Sequence, residues 1–206
     1  MAAATKTLPE EFAQCSEINL KKNKSMSITL NLISILIFIL CFFLLSGFAA
    51  LTRPEEMNAP ISFTIDLSGA LISLASLLFL SMMILVLHEM IHGVLFWRYT
   101  HSKPVFAIRL LYASASAPDW YFSSRQYAII GAGPFLLISL IGIALILLAP
   151  TNWMIYIFVC TALNAAGSIG DLYVLWRLTK LPSTCLINDT GDSIYFFTRQ
   201  SIPDPM

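Results

Sequence analysis

Leu87-His88-Glu89-Met90-Ile91-His92-Gly93 contains the pattern H-E-x-x-H. Residues four apart share a helical face, so His88 and His92 can offer imidazole nitrogens to one zinc ion. Glu89, beside them, can take a proton from a zinc-activated water and later give it to a leaving amine. Such a site needs a third protein ligand and an open position for water. His101 is the remaining histidine; it lies beyond Arg98 and reads as a surface residue. Asp171 is the better third ligand, being the single acidic residue of the apolar stretch 153–178.

The elements that must carry these residues are apolar. Of 206 residues, 57% are hydrophobic and only 12% charged, against about 25% charged in an average soluble domain. Four stretches reach the roughly 20 residues that span a bilayer: 27–51, 67–97, 127–149 and 153–178. The first is too long for the apolar core of a signal peptide and follows a polar segment. The reading is an all-α membrane protein, one integral domain over 1–206 with four transmembrane helices. A charged residue at the centre of such a helix costs about 2.5–3.5 kcal/mol, so three ionisable groups within five positions mark function more than packing.

Basic residues set the orientation. Eleven of the twelve Lys and Arg fall on alternating segments, before the first helix, between the second and third, and after the fourth; the opposite side has only Arg53. Both termini are therefore expected to be cytoplasmic. With Arg98 and Arg177 as the exits of helices two and four, His92 and Asp171 each lie six residues short of the same surface, about 9 Å in depth. Asn164 and Ser168 fall on the Asp171 face, and Gly167 and Gly170 would allow close approach of a backbone or substrate. Gly131-Ala132-Gly133-Pro134 reads as a close-packing face with a kink, where Pro134 frees a carbonyl that can face the site.

The loop after helix two holds the β-prone stretch 104–112, followed by small residues 113–120 that read as a turn. This predicts a short strand or hairpin, whose edge could pair with an extended substrate. The tail predicts a second small hairpin around Asn188-Asp189-Thr190-Gly191-Asp192. Glu55, Glu56 and Asp66 read as solvated external carboxylates. No cysteine falls in an external loop or has metal-ligand spacing, so neither a structural disulfide nor a cysteine metal site is expected. Zero net charge gives no field for nucleic acid.

The polar lead-in, the His88 to His92 helix, the 104–112 stretch, Ser124-Arg125-Gln126-Tyr127, Gly133-Pro134 and the Asn164 to Asp171 helix together resemble a bacterial membrane family described as putative zincin peptidases. That family is distantly similar to the site-two proteases, which cut substrates within or beside the membrane. The resemblance implies zinc held by His88, His92 and Asp171, Glu89 as general acid and base, and Asn164 steadying the oxyanion. Site-two proteases usually carry Asn, then Pro, then Leu-Asp-Gly; this chain reads Ile169-Gly170-Asp171-Leu172, with no Pro and the Asn one residue closer. The expected function is an intramembrane zinc metalloprotease of the bacterial cytoplasmic membrane. It would act near the cytoplasmic face on a membrane-protein or peptide substrate, with lipid around it. The alternative is a non-catalytic membrane protein with a structural metal site or an assembly role.

Overall fold

Long runs of Leu, Ile and Phe with few breakers favour helix, and the chain is mostly helical. The computed structural model describes residues 4–57, 66–108 and 113–200. In chain order the elements are β1 (Phe12–Ile18), α1 (Lys24–Thr52), α2 (Pro54–Met57), α3 (Leu67–Thr100), β2 (Val105–Ile108), β3 (Ala113–Ser116), β4 (Tyr121–Ser123), α4 (Ser124–Leu148), α5 (Met154–Gly167), α6 (Ile169–Leu178), β5 (Leu186–Asp189) and β6 (Ile194–Arg199). A 3-10 turn, Thr151–Trp153, leads into α5. Four helical stretches, α1, α3, α4 and Thr151–Leu178, are long and apolar enough to cross a membrane.

The structure departs from the sequence reading in three places. The strands go beyond the two expected hairpins: β5 and β6 form the expected tail hairpin, and β1 and β4 extend it into an antiparallel sheet of order β1-β6-β5-β4. The hairpin's outer backbone groups need partners, and the polar lead-in supplies one edge as β1, paired from Phe12↔Arg199 to Ile18↔Ile194. Secondly, 113–116 is not a turn. It is β3, paired with β2 from Val105↔Ser116 to Ile108↔Ala113; residues 109–112 of the expected strand lie outside the described residues. Thirdly, the fourth helix is broken at Ser168. Its N–H and Oγ both donate to the Asn164 carbonyl, at 3.0 and 2.8 Å, and glycines on either side favour an interruption. Gly167 and Gly170 face open space, with no neighbour within 4 Å of an added Cβ.

By contact density the chain falls into two compact units. One, Asn31–His88 with Phe135–Ile169, is helical. Its core joins Ala49, Ile146, Met154, Ile157 and Phe158. A Cβ on Gly142 would collide with Thr161, so α4 and α5 touch backbone to side chain there. Arg53 donates to the Ile146 and Ala149 carbonyls at 3.0 and 2.5 Å, satisfying the open end of α4, and pairs with Glu56. Glu56 also accepts from Thr151 at 2.5 Å. It is thus engaged instead of merely solvated, and these hydrogen bonds hold its carboxyl below the usual range. Asp66 is engaged as well. It caps α3 by accepting from Ser68 Oγ at 2.6 Å and the Gly69 N–H at 2.8 Å.

The other unit, Met1–Leu30 with Glu89–Pro134 and Gly170–Met206, contains the sheet. Phe122, Ile187, Phe196 and Cys185 are fully buried with Phe96, Tyr127, Ile130 and Val174. Burial pushes the Cys185 thiol up to about 11, which suits an apolar filler. The turn from β4 into α4 is a capping box: Gln126 Oε1 accepts the Ser123 N–H at 2.9 Å while Ser123 Oγ accepts the Gln126 N–H at 3.4 Å.

Candidate metal centre

The four-residue spacing on α3 places one buried stripe down the helix, His88, His92, Phe96 and Thr100, while Leu87, Met90, Val94 and Trp97 are exposed. Asp171 sits in the first turn of α6, where the helix dipole favours a negative charge. One ligand-capable atom from each of His88, His92 and Asp171 lies within 4.8 Å of the others.

Each imidazole is fixed by its other nitrogen. His88 Nδ1 lies 3.0 Å from Asn164 Oδ1. The Asn164 amide is oriented by its own Nδ2, which donates to the Phe135 carbonyl at 3.4 Å; Oδ1 therefore faces His88, and His88 Nδ1 carries the hydrogen. His92 Nδ1 donates to the Ile130 carbonyl at 3.0 Å. That carbonyl is the one Pro134 leaves without its helical N–H, four residues on. In neutral form a ring with its hydrogen on Nδ1 carries its lone pair on Nε2, the arrangement in which histidines ligate metals. His92 Nε2 stands 3.4 Å from Asp171 Oδ2. A proton on Nε2 or a metal ion between the two atoms would satisfy that contact, and donors at about 2.05 Å on a tetrahedral ion are about 3.3 Å apart.

Glu89 is half-buried and turned towards β3, where its Oε2 accepts the Ala115 N–H at 2.7 Å. The hairpin is pressed onto α3 here: a Cβ on Gly93 would strike the Phe106 ring. A Cβ on Gly133 would strike Leu95, so α4 also comes close enough for its Ile130 carbonyl to meet His92. Tyr127 donates to Asp189 Oδ2 at 2.5 Å, and Asp189 Oδ1 accepts the Gly191 N–H at 2.8 Å. Burial raises the Asp189 carboxyl above its usual range, with the Tyr127 and Gly191 hydrogen bonds acting against it.

Residues 81–186, more than half the chain, match the family described as putative zincin peptidase. The chain belongs to that family. It matches none of the curated proteins and none of the solved structures.

Zinc chemistry is what the name zincin implies, and the donor set fits it: two imidazoles, one carboxylate, and a glutamate next to a ligand. The matched span takes in His88, Glu89, His92, Asn164 and Asp171 together. His101 stands apart, exposed at the end of α3 with φ 51°, a left-handed helix terminus for which His is one of the more tolerant residues. Reading the zincin pattern alone misses Ala115, Tyr127 and Asp189. Ser123-x-x-Gln126 was a legible cap signal for the turn that places Tyr127; nothing local marked Ala115 or Asp189.

Proposed function

We propose that the protein is a multi-pass membrane zinc metallopeptidase hydrolysing peptide bonds within or beside the membrane, near its cytoplasmic face. The observation that carries this is the pair of imidazoles whose Nδ1 atoms are engaged by Asn164 and the Ile130 carbonyl, with a ligand-capable atom of each within 4.8 Å of one another and of Asp171. The membrane assignment rests on the four long apolar helices with their outward-facing Leu, Ile and Phe side chains, and on the Lys and Arg placement that puts both termini in the cytoplasm. The host membrane would be the bacterial cytoplasmic one.

Zinc, when bound by His88, His92 and Asp171, supplies a Lewis acid that polarises the scissile carbonyl and acidifies a water. Glu89 takes the proton of the attacking water on its carboxylate and passes it to the leaving amine. The Ala115 N–H holds Oε2 and so fixes that carboxylate. Asn164 holds His88 in its ligating tautomer. Donation of one Nδ2 hydrogen to the Phe135 carbonyl does not exclude the oxyanion role implied by resemblance, because the amide carries two. The substrate edge is β3: Ala115 turns its N–H to Glu89 and away from β2, so an extended peptide laid there would pair beside the general base.

The test is hydrolysis of quenched-fluorescence extended peptides by purified protein in detergent. Glu89→Gln should lower the rate on the order of 10²–10⁴-fold with zinc retained. Equal rates in both proteins, or zinc bound with no hydrolysis of any peptide, would support the non-catalytic reading instead.

A further inference from the structure

The unit that contains the sheet has a cavity of about 370 Å³, away from the histidines, lined by Glu17, Ile18, Asn19, Lys22, Asn23, Met26, Tyr173 and Arg177. Its charges are unequally matched. Lys22 Nζ pairs with Glu17 Oε1 at 3.1 Å. Asn19 and Asn23 are engaged too: Asn19 Nδ2 donates to Ser193 Oγ at 2.7 Å, and Asn23 Oδ1 accepts the Met26 N–H at 3.0 Å. The Arg177 guanidinium is half-buried on the cavity wall and, among the described residues, has no carboxylate, carbonyl or ring as partner. A planar fork of donors held in a cavity without an acceptor is suited to a phosphate, which it can grip with two parallel hydrogen bonds.

We propose that this cavity binds the phosphate of an anionic phospholipid headgroup. Ile18, Met26 and Tyr173 add apolar surface to the lining, as a glycerol and ester region would require. The site lies where α1 begins and α6 ends. Tyr173 packs against Trp176 with ring centroids 5.7 Å apart, Trp176 is about half exposed at 53%, and Lys180 Nζ lies 6.0 Å over the Trp176 ring. Aromatic rings and cations together at a helix end are the mark of a membrane–water interface. On the membrane reading above, on which the choice of lipid rests, this is the cytoplasmic surface where anionic lipid and basic clefts meet. Lys22 has its Glu17 partner to leave, so Arg177 is the principal contact.

Native mass spectrometry of the full chain in detergent, titrated with phosphatidylglycerol, phosphatidylcholine or inorganic phosphate, reads the site directly. Phosphatidylglycerol should be retained and phosphatidylcholine lost. Retention should fall about tenfold or more in Arg177→Gln, and persist in Lys180→Gln, which removes the same charge outside the cavity. Bound zinc in each variant reports that the fold survives. Equal retention of both lipids, or of phosphatidylglycerol by Arg177→Gln with zinc intact, would overturn the proposal. Protection of the site by millimolar inorganic phosphate without lipid would overturn the lipid assignment and leave a soluble phosphate site. Resistance of the membrane-associated chain to carbonate extraction tests the membrane reading separately.

Discussion

Leu36, Phe43 and Leu78, in the helical unit, are 65%, 67% and 63% exposed; Phe122, Ile187 and Phe196, in the unit with the sheet, are at 0%. The most apolar eighteen residues of α1 and of α3 include none that is buried. In water that much apolar surface would be a severe liability, which agrees with the membrane reading proposed above. Polar side chains in it include some that satisfy backbone, as Arg53 does at the end of α4. In the second unit, burial comes from side chains meeting over a sheet, and backbone groups are satisfied by strand pairing. The proposed chemistry needs a dry environment that strengthens electrostatic contacts, and a polar framework that holds a carboxylate in place.

Truncation of one large aromatic in each unit probes the contrast most strongly. Phe122→Ala should destabilise by about 3–5 kcal/mol, whereas Phe43→Ala should stay within about 0.5 kcal/mol, both read from thermal unfolding in detergent. Similar losses in the two would mean that α1's outer face packs against protein.

The polar framework can be tested at its supports. Asn164→Ala removes the acceptor for His88 Nδ1 and should weaken zinc affinity by about 10–100-fold, measured by competition with a chelator. Pro134→Ala gives the Ile130 carbonyl a helical N–H as competitor for His92. Its effect on zinc affinity should be smaller, since the carbonyl keeps a second lone pair.

Asp189 gives the smallest effect and a sign. Its carboxyl is raised in the folded chain, so the fold holds a proton that the unfolded chain has released, and stability falls as pH rises from the ordinary carboxylate range through the raised value. Asp189→Asn should flatten that slope, gaining stability at neutral pH and little at acid pH, in thermal unfolding scans across pH. An unchanged slope would place the titration elsewhere.

The same contrast explains what was legible in the sequence. Helices α1, α3 and α4 announce themselves because a long apolar stretch is a matter of residue type, summed over twenty positions. So does His88-Glu89-x-x-His92, because one helical turn is local. Asp171 was reachable from depth counted back from Arg177, even though the helix is broken at Ser168. Strand β1 was not legible: Phe12-Ala13-Gln14-Cys15-Ser16-Glu17-Ile18 lacks clean alternation and is recruited by an edge of β6 nearly two hundred residues away. The Ala113-Ser114-Ala115-Ser116 strand failed for the opposite reason, since small residues read as a turn until Gly191 and its neighbours crowd them; an added Cβ there would sit 3.1 Å from Ser116 Oγ. Tyr127 and Asp189 meet across 62 residues, a separation at which no local pattern speaks.

Bound zinc per purified chain tests the central claim most directly. About one zinc is expected in the wild type and in Glu89→Gln, and none in His88→Ala. A wild type that holds no zinc even after the metal is added back, or a His88→Ala chain that holds it as well as the wild type, would contradict the assignment of a zinc centre to these residues.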